Sequence, residues 1–439
     1  MILSASFGAI YHNASSPCPA LPDGTGKRSH PPVIQLRVRA QFMTESASEP
    51  PKKSHRWTIE RAWTEPGPGL HPIAGANFRT FLANYFRQGN YTGRSRKQRV
   101  LAWAAQILRA PSSTLEHLRW GNAIRRHELK EPPIFLVGHW RSGTTHLHNL
   151  LSRDPQFGYI DFGQTAMPWD MIGKKVELGR RIIDSVLPET RGYDNVKLSL
   201  DEPQEEEMAL GNLNPIGYYN IYYFPQETDE YAKRALFFDG VSDKDRKAFE
   251  EAYEFLVRKL SFVEGGKRLL FKNPPSTTRI PMIRKMFPDA KFIHIVRNPY
   301  PVYRSSIGKF PRLYNAFAWQ DFREVDTHRF TINTYANLMQ RYLRDRETIP
   351  ESNLFETSYE KITEDPLGEI GRIYDAFGIQ HRETALDHIG RYVETIKNYQ
   401  PNEHRMSRAH VEEIQERWRF SFEHWGYPIA PPDDVTVTD

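Results

Sequence analysis

Apolar positions in the first ordered-looking stretch keep a helical rhythm. Phe78, Phe81, Leu82, Tyr85 and Phe86, then Val100, Leu101, Ala104, Ile107 and Leu108, recur at i, i+3, i+4 and i+7, the spacing that gathers them on one helix face. The rhythm predicts a helical lead-in over residues 56–131, packed on a main domain through those side chains. From residue 132 to about 425 the pattern changes, and short apolar runs alternate with helical stretches. Ile134 to Val137, Arg268 to Phe271, Phe292 to Val296 and Asn353 to Glu356 read as strands, with Phe287-Pro288-Asp289-Ala290 turning into the third. Such alternation predicts an α/β fold, a doubly wound parallel sheet flanked by helices, with ligand-binding loops at the carboxyl ends of the strands. Residues 1–55, rich in Ser, Pro, Ala and Gly and without a period, read as a disordered tail, and 426–439 as a C-terminal tail. A polar run opening at Met43 offers an alternative translation start. The chain contains no internal repeat.

Composition adds exclusions. The net charge of the 439 residues is +5, and residues 1–55, with six basic and three acidic side chains, carry +3 of it. The remainder is near neutral, which argues against nucleic acid as a partner, because such binding concentrates positive charge on one face. Cys18 is the single cysteine, so an intrachain disulfide and a thiolate metal site are both impossible, and a cytoplasmic location is expected. No apolar run reaches transmembrane length, and the first residues lack the basic and apolar regions of a signal peptide. Oligomeric state is open.

The chemistry is concentrated where the first strand ends. Ile134 to Val137 runs into Gly138-His139-Trp140-Arg141-Ser142-Gly143-Thr144-Thr145, a Gly-x-x-x-x-Gly turn that can aim backbone N–H groups and a helix N-terminus at phosphate oxygens. A Walker loop places Lys after the second Gly, where this chain has Thr144. Its cation comes earlier, at Arg141, so the loop is suited to holding phosphate without being built for γ-phosphoryl transfer. A second apolar strand, Lys291 to Val296, leads to Arg297-Asn298-Pro299 and, eight residues after the Arg, to Ser305.

The two motifs together resemble the sulfotransferases, enzymes that take a sulfuryl group from 3′-phosphoadenosine 5′-phosphosulfate (PAPS) and release 3′,5′-adenosine bisphosphate. The resemblance covers about residues 132–425. It implies that Gly138 to Thr145 holds the 5′-phosphosulfate and that Arg297 and Ser305 hold the 3′-phosphate, the group that distinguishes PAPS from ATP. Lys272, in Leu269-Leu270-Phe271-Lys272-Asn273-Pro274, corresponds to the family's lysine that assists departure of the phosphate oxygen, and is expected as a mobile ammonium at the sheet edge. Tyr359, in a segment similar to the family's Y-E-D-L-x-x-D-P, is implied near the adenine, with a core aromatic as the alternative.

The general base is less legible. The family's His two residues after the Lys is Pro274 here, and the His of the K-[S/T]-P-x-H pattern of bacterial relatives is Ser276. The run Asp201-Glu202-Pro203-Gln204-Glu205-Glu206-Glu207 resembles an acidic segment of those relatives, and Glu205 or Glu206 is the expected base, with adjacent carboxylates raising one another's pKa. A charged helix N-terminus is the alternative reading, and Asp161 and His139 stand in reserve. His146 and His148, two apart, fall on different helix faces, and no metal is expected. Tyr218, Tyr219, Tyr222, Tyr223 and Phe224 suit either the core or a pocket for an acceptor that is a small molecule, lipid or carbohydrate. Two rival readings are a P-loop kinase and a catalytically inactive nucleotide-binding member of the same fold.

Overall fold

The computed structural model describes residues 58–65, 67, 71–172, 180–181, 199–396, 404–433 and 435–438. The expectations for residues 1–55, Met43 and Cys18 fall outside them.

Five parallel strands form the central sheet: β1 (Ile134–Val137), β2 (Phe157–Gly158), β3 (Arg268–Lys272), β4 (Lys291–Val296) and β5 (Leu354–Ser358), in the order β2-β3-β1-β4-β5. A parallel sheet needs helical crossovers, and these bury both its faces, which is why β1 and β4 are almost wholly apolar. Along β1, Phe135 and Val137 enter one core while Ile134 and Leu136 enter the other, where Leu147, Leu150 and Leu151 cover them. Phe135 lies in register with Phe271 and Phe292, and their rings stack at centroid distances of 5.2 and 5.8 Å, fixing three strands across one face.

From β1 the chain crosses toward β2, and from β4 it crosses the other way, toward β5. The gap between the carboxyl ends of β1 and β4 is therefore the switch point, where helices diverge and leave a crevice. Both phosphate motifs begin there, since Gly138 follows β1 and Arg297 follows β4.

Three expectations need correction. The first expected strand keeps its bounds as β1, the other three shift or lengthen by one or two residues, and the two-residue edge strand β2 carried no period to announce it. Residues read as a tail supply β7 (Val435–Thr438), paired in parallel with β6 (His404–Ser407). The lead-in does contain helices, Phe78–Arg87 and Arg96–Arg126, but the second packs inward with its opposite side. Gln98, Ala102, Gln106, Glu116, Gly121 and Ile124 are buried, whereas Val100, Leu101, Ile107 and Leu108 are exposed, Leu108 at 79%.

Candidate active site

The loop after β1 is a strained turn held from three sides. Gly138 has φ +141°, and a Cβ there would lie 2.4 Å from the Ile295 carbonyl oxygen of β4; Gly143 has φ +93°, and a Cβ there would lie 2.4 Å from the Tyr359 ring. Both positions therefore require glycine. Between them Arg141 adopts φ +72°, a conformation costing a non-glycine residue about 1–3 kcal/mol. Two contacts hold it: its Nε donates to Ser305 Oγ at 2.7 Å, and its carbonyl accepts from Arg297 at 3.4 Å. The third side is the turn Pro274–Thr278, where Thr277 Oγ1 accepts from Gly138 N–H at 2.8 Å and donates back to its carbonyl at 3.2 Å. Thr144 and Thr145 open the helix Thr144–Leu151. The loop and the Arg297 motif are thus in direct contact, and the Arg297 guanidinium lies 4.1 Å over the ring of Tyr359.

Not every residue of the loop faces the crevice. His139 is buried, donates from Nδ1 to the Trp140 carbonyl at 2.7 Å, and packs on Tyr335; burial, reinforced by Lys309, depresses its pKa to about 3, so it is neutral. Trp140 stacks on Tyr218 with centroids 4.5 Å apart. Together with Arg141, Thr144, Thr145, Glu205, Tyr218, Tyr219 and Tyr222, Trp140 borders one pocket at the sheet edge. Ser305 is the seventh residue of the helix Pro299–Phe317 and so lies beyond its first turn.

Lys272 is not the mobile ammonium expected. Its side chain is wholly buried at the end of β3 and donates to Glu205 Oε1 at 2.8 Å. The acidic run also separates into three environments. Glu205 is partly exposed and reaches the pocket. Glu206 points into the core, accepts from the Tyr253 hydroxyl at 2.7 Å, and has its pKa raised to about 7 chiefly by burial. Glu207 opens the helix Glu207–Leu213 and is locked by Arg279 at 2.6 and 3.0 Å, by Asn273 and by the Tyr218 N–H. The expected mutual repulsion of three carboxylates is therefore a minor effect beside burial. Ser276 joins the Tyr253 and Glu206 cluster in the core, so the position of the bacterial pattern's His faces away from the pocket. Asp161 caps the helix Phe162–Ala166 and accepts twice from Arg180, both at 3.0 Å, which leaves it outside the pocket.

Lys309 is the site residue that sequence reasoning missed. It lies one helical turn beyond Ser305, is 6% exposed, and extends its ammonium to 5.0 Å from the Trp140 ring centroid within the same pocket. Burial, with the nearby Arg141 adding to it, lowers its pKa to about 7. The signal was available in the i, i+4 spacing: a residue four beyond Ser305 shares its helix face. Around the pocket Arg141, Lys272 and Lys309 supply positive charge, with Glu205 among them. Among the described residues no group of His, Cys, Asp or Glu is arranged to hold a metal ion. A cavity of about 670 Å³ lies elsewhere, between residues 225–233 and 321–330, and none of the motif residues borders it.

Comparison with known proteins bears on this arrangement. A model of the sulfotransferase family matches residues 132–383. Omega-hydroxy-beta-dihydromenaquinone-9 sulfotransferase Stf3 of Mycobacterium bovis is 26% identical over 389 residues, covering 88% of this chain and 97% of its own length. The crystal structure of sulfotransferase STF9 from Mycobacterium avium covers 79% of this chain and 89% of its own with a TM-score of 0.59 at 19% identity. That of STF1 from Mycobacterium tuberculosis covers 77% and 90% with a TM-score of 0.56 at 18% identity, and at such identities the likeness is one of fold.

Proposed function

The chain belongs to the sulfotransferase family, and on that premise we propose that it transfers a sulfuryl group from PAPS to a hydroxyl of an apolar, lipid-like acceptor. The observation that carries the donor assignment is the meeting of two anion motifs at one switch point, with Arg141 Nε 2.7 Å from Ser305 Oγ. In this reading the loop Gly138 to Thr145 holds the 5′-phosphosulfate through the N–H groups of Gly143, Thr144 and Thr145 at the helix start and the hydroxyls of Thr144 and Thr145, while the Gly138 N–H stays with Thr277. Arg297 and Ser305 hold the 3′-phosphate, and Tyr359, packed beneath Arg297, borders the adenine. PAPS, when bound, supplies a sulfuryl group already attached to a good leaving oxygen.

The protein's own part is proton and charge management. Glu205 takes the acceptor's proton as the acceptor oxygen bonds to sulfur and the bond to the phosphate oxygen breaks. In doing so it loses the charge that holds Lys272, whose ammonium is then able to donate to the departing oxygen. Arg141 and Lys309 offset the charge carried by the three sulfuryl oxygens. The base and the leaving-group donor are thus one ion pair, which replaces the family histidine absent at 274 and 276. Trp140, Tyr218, Tyr219 and Tyr222 give the pocket an aromatic wall suited to an apolar acceptor, and the printed name of Stf3 supports the same class. The lone cysteine, which allows no intrachain disulfide, supports a cytoplasmic location as part of the proposal; among the described residues no helix is long and apolar enough to cross a membrane.

Calorimetry with 3′,5′-adenosine bisphosphate, followed by transfer of labelled sulfate from PAPS to long-chain alcohols, tests the reading. The wild type should bind and transfer. Arg297→Ala should bind the bisphosphate about 10- to 100-fold more weakly, and Lys272→Ala should bind it but transfer about 100- to 1,000-fold more slowly. Tight Mg·ATP binding with no response to the bisphosphate would assign a kinase instead, and binding without transfer to any acceptor would leave a nucleotide-binding module.

A further inference from the structure

The helix Arg96–Arg126 is inverted relative to the usual rule. Its inward side carries Gln98, Gln106 and Glu116, each buried and bonded: Gln98 to the Ala316 carbonyl, Gln106 to the Ile73 and Ala74 carbonyls, and Glu116 to Lys259 at 2.5 Å and to the N–H groups of Met171 and Ile172. Its outward side carries Val100, Leu101, Ile107, Leu108, Leu115 and Leu118, with exposures from 39% to 79%. At 3.6 residues per turn these six fall within about 120° of arc, one continuous stripe along the helix. Exposed Phe78 and Phe86, both packed edge-on against Trp103, extend it sideways. Isolated apolar side chains on a surface are ordinary, but a contiguous stripe of this length marks a contact with something else.

Charge chooses the occupant. The helix has seven basic residues and one acidic residue, Glu116, which is buried. Arg96 and Lys97 lie at one end of the exposed stripe and Arg119, Arg125 and Arg126 at the other, on the same side of the helix and all exposed. The neighbouring helix Phe78–Arg87 adds exposed Arg79 and Arg87 and no acid. Apposing two such faces from two copies would set arginines against arginines in either orientation, parallel or antiparallel. The residues outside the described chain before Thr58 are net basic through residue 55, so they repel it as well. An anionic lipid surface satisfies both features: the stripe enters the acyl boundary while the terminal cations reach the headgroups.

We propose that the exposed face of helix Arg96–Arg126, with Phe78 and Phe86 beside it, docks the protein on an anionic lipid bilayer, lying in its interface without crossing it. The position suits an enzyme whose acceptor resides in a membrane, yet the face would bind lipid whether or not the chain transfers sulfate.

Flotation of the full-length chain with vesicles of phosphatidylcholine, alone or with about one-third phosphatidylglycerol, tests it. The chain should rise with the anionic vesicles and far less with the neutral ones. Leu108→Asp/Leu115→Asp should reduce flotation about tenfold or more while leaving thermal unfolding and transfer to a soluble acceptor unchanged. Arg125→Glu/Arg126→Glu should abolish the preference for anionic lipid. The proposal is overturned if the wild type floats with neither vesicle. It is overturned equally if ultracentrifugation in vesicle-free buffer shows a dimer that Leu108→Asp/Leu115→Asp makes monomeric, since a second copy then occupies the face. A Lys27 to Lys97 cross-link in that buffer would give the face to the chain's own N-terminal residues.

Discussion

The sheet edge and the lead-in helix break the same rule in opposite directions. At the edge, Lys272, Glu206, Glu207, Arg279 and Lys309 are withdrawn from water, each at a desolvation cost that an apolar residue would not incur. On the helix, leucines stand in water while glutamines and a glutamate are turned inward. The difference lies in how the cost is met. Lys272 has Glu205, and Arg279 has both oxygens of Glu207, so the charges of the edge are largely answered by one another and their arrangement is complete within the chain. The apolar stripe has nothing beside it, among the described residues, that answers it. A buried charge that is paired belongs to an internal mechanism, whereas an exposed apolar face points outward to a partner.

The sharpest way to break this comparison is to separate the three carboxylates. Glu205→Gln should lower kcat by about 100- to 10,000-fold with little change in bisphosphate affinity, because it removes the proposed base while keeping a group near Lys272. Glu206→Gln should leave kcat within about twofold and act on stability instead. The sign follows from the raised pKa. Between about 4.5 and about 7 the folded protein retains a proton on Glu206 that the unfolded chain releases, so this residue's contribution to stability is full at low pH and is lost as pH rises through about 7. Unfolding curves at pH 5 and pH 8 should therefore differ less in Glu206→Gln than in the wild type. Equal loss of turnover in both variants would mean that the two carboxylates act as one unit and that burial does not separate their roles.

A smaller effect is expected at Lys309. Its lowered pKa leaves the ammonium fully charged only below about 7, so its contribution to sulfuryl binding fades as pH rises through that value. The ratio of kcat/KM between the wild type and Lys309→Met should be about tenfold at pH 6 and approach unity by about pH 9, and taking the ratio cancels the titration of the base. Stability runs the other way: the lysine penalises folding below about 10.5 and most below about 7, so Lys309→Met should be more stable than the wild type at pH 6. A pH-independent ratio would make Lys309 a packing residue over Trp140.

How much of this could be read from the sequence depends on whether a residue's environment is set locally. The strands β1 and β4 and the loop from Gly138 to Thr145 were legible because runs such as Ile134-Phe135-Leu136-Val137 and a Gly-x-x-x-x-Gly spacing carry their own geometry. Sheet order was not needed to find Arg297, only to learn that it meets Arg141. Lys272 was assigned by its position at a strand end, but its burial and its pairing to Glu205 depend on a segment 67 residues away. The fates of Glu205, Glu206 and Glu207 were illegible for a related reason: at the entry to a helix successive side chains point in different directions, and only the packed partners Tyr253 and Arg279 decide which are withdrawn. On the lead-in helix the period revealed an apolar face but not which side the core lies on. Gln98, Gln106 and Glu116 on the opposite side offered no clear warning, because buried partners for them come from residues 73–74, 171–172, 259 and 316.

The smallest expected effect tests the outward half of the comparison. Leu118 is 74% exposed, so replacing it with Ser removes little packing, and the unfolding free energy should change by less than about 0.5 kcal/mol. Ile124, six residues on and 1% exposed, belongs to the inward side, and Ile124→Ser should cost about 2–4 kcal/mol through lost burial and a cavity that strands a hydroxyl. Denaturant titrations of the two variants at one protein concentration measure both. If Leu118→Ser destabilises the isolated protein as much as Ile124→Ser does, the stripe is already covered in solution, and the contrast between a self-sufficient site and an outward-facing helix no longer holds.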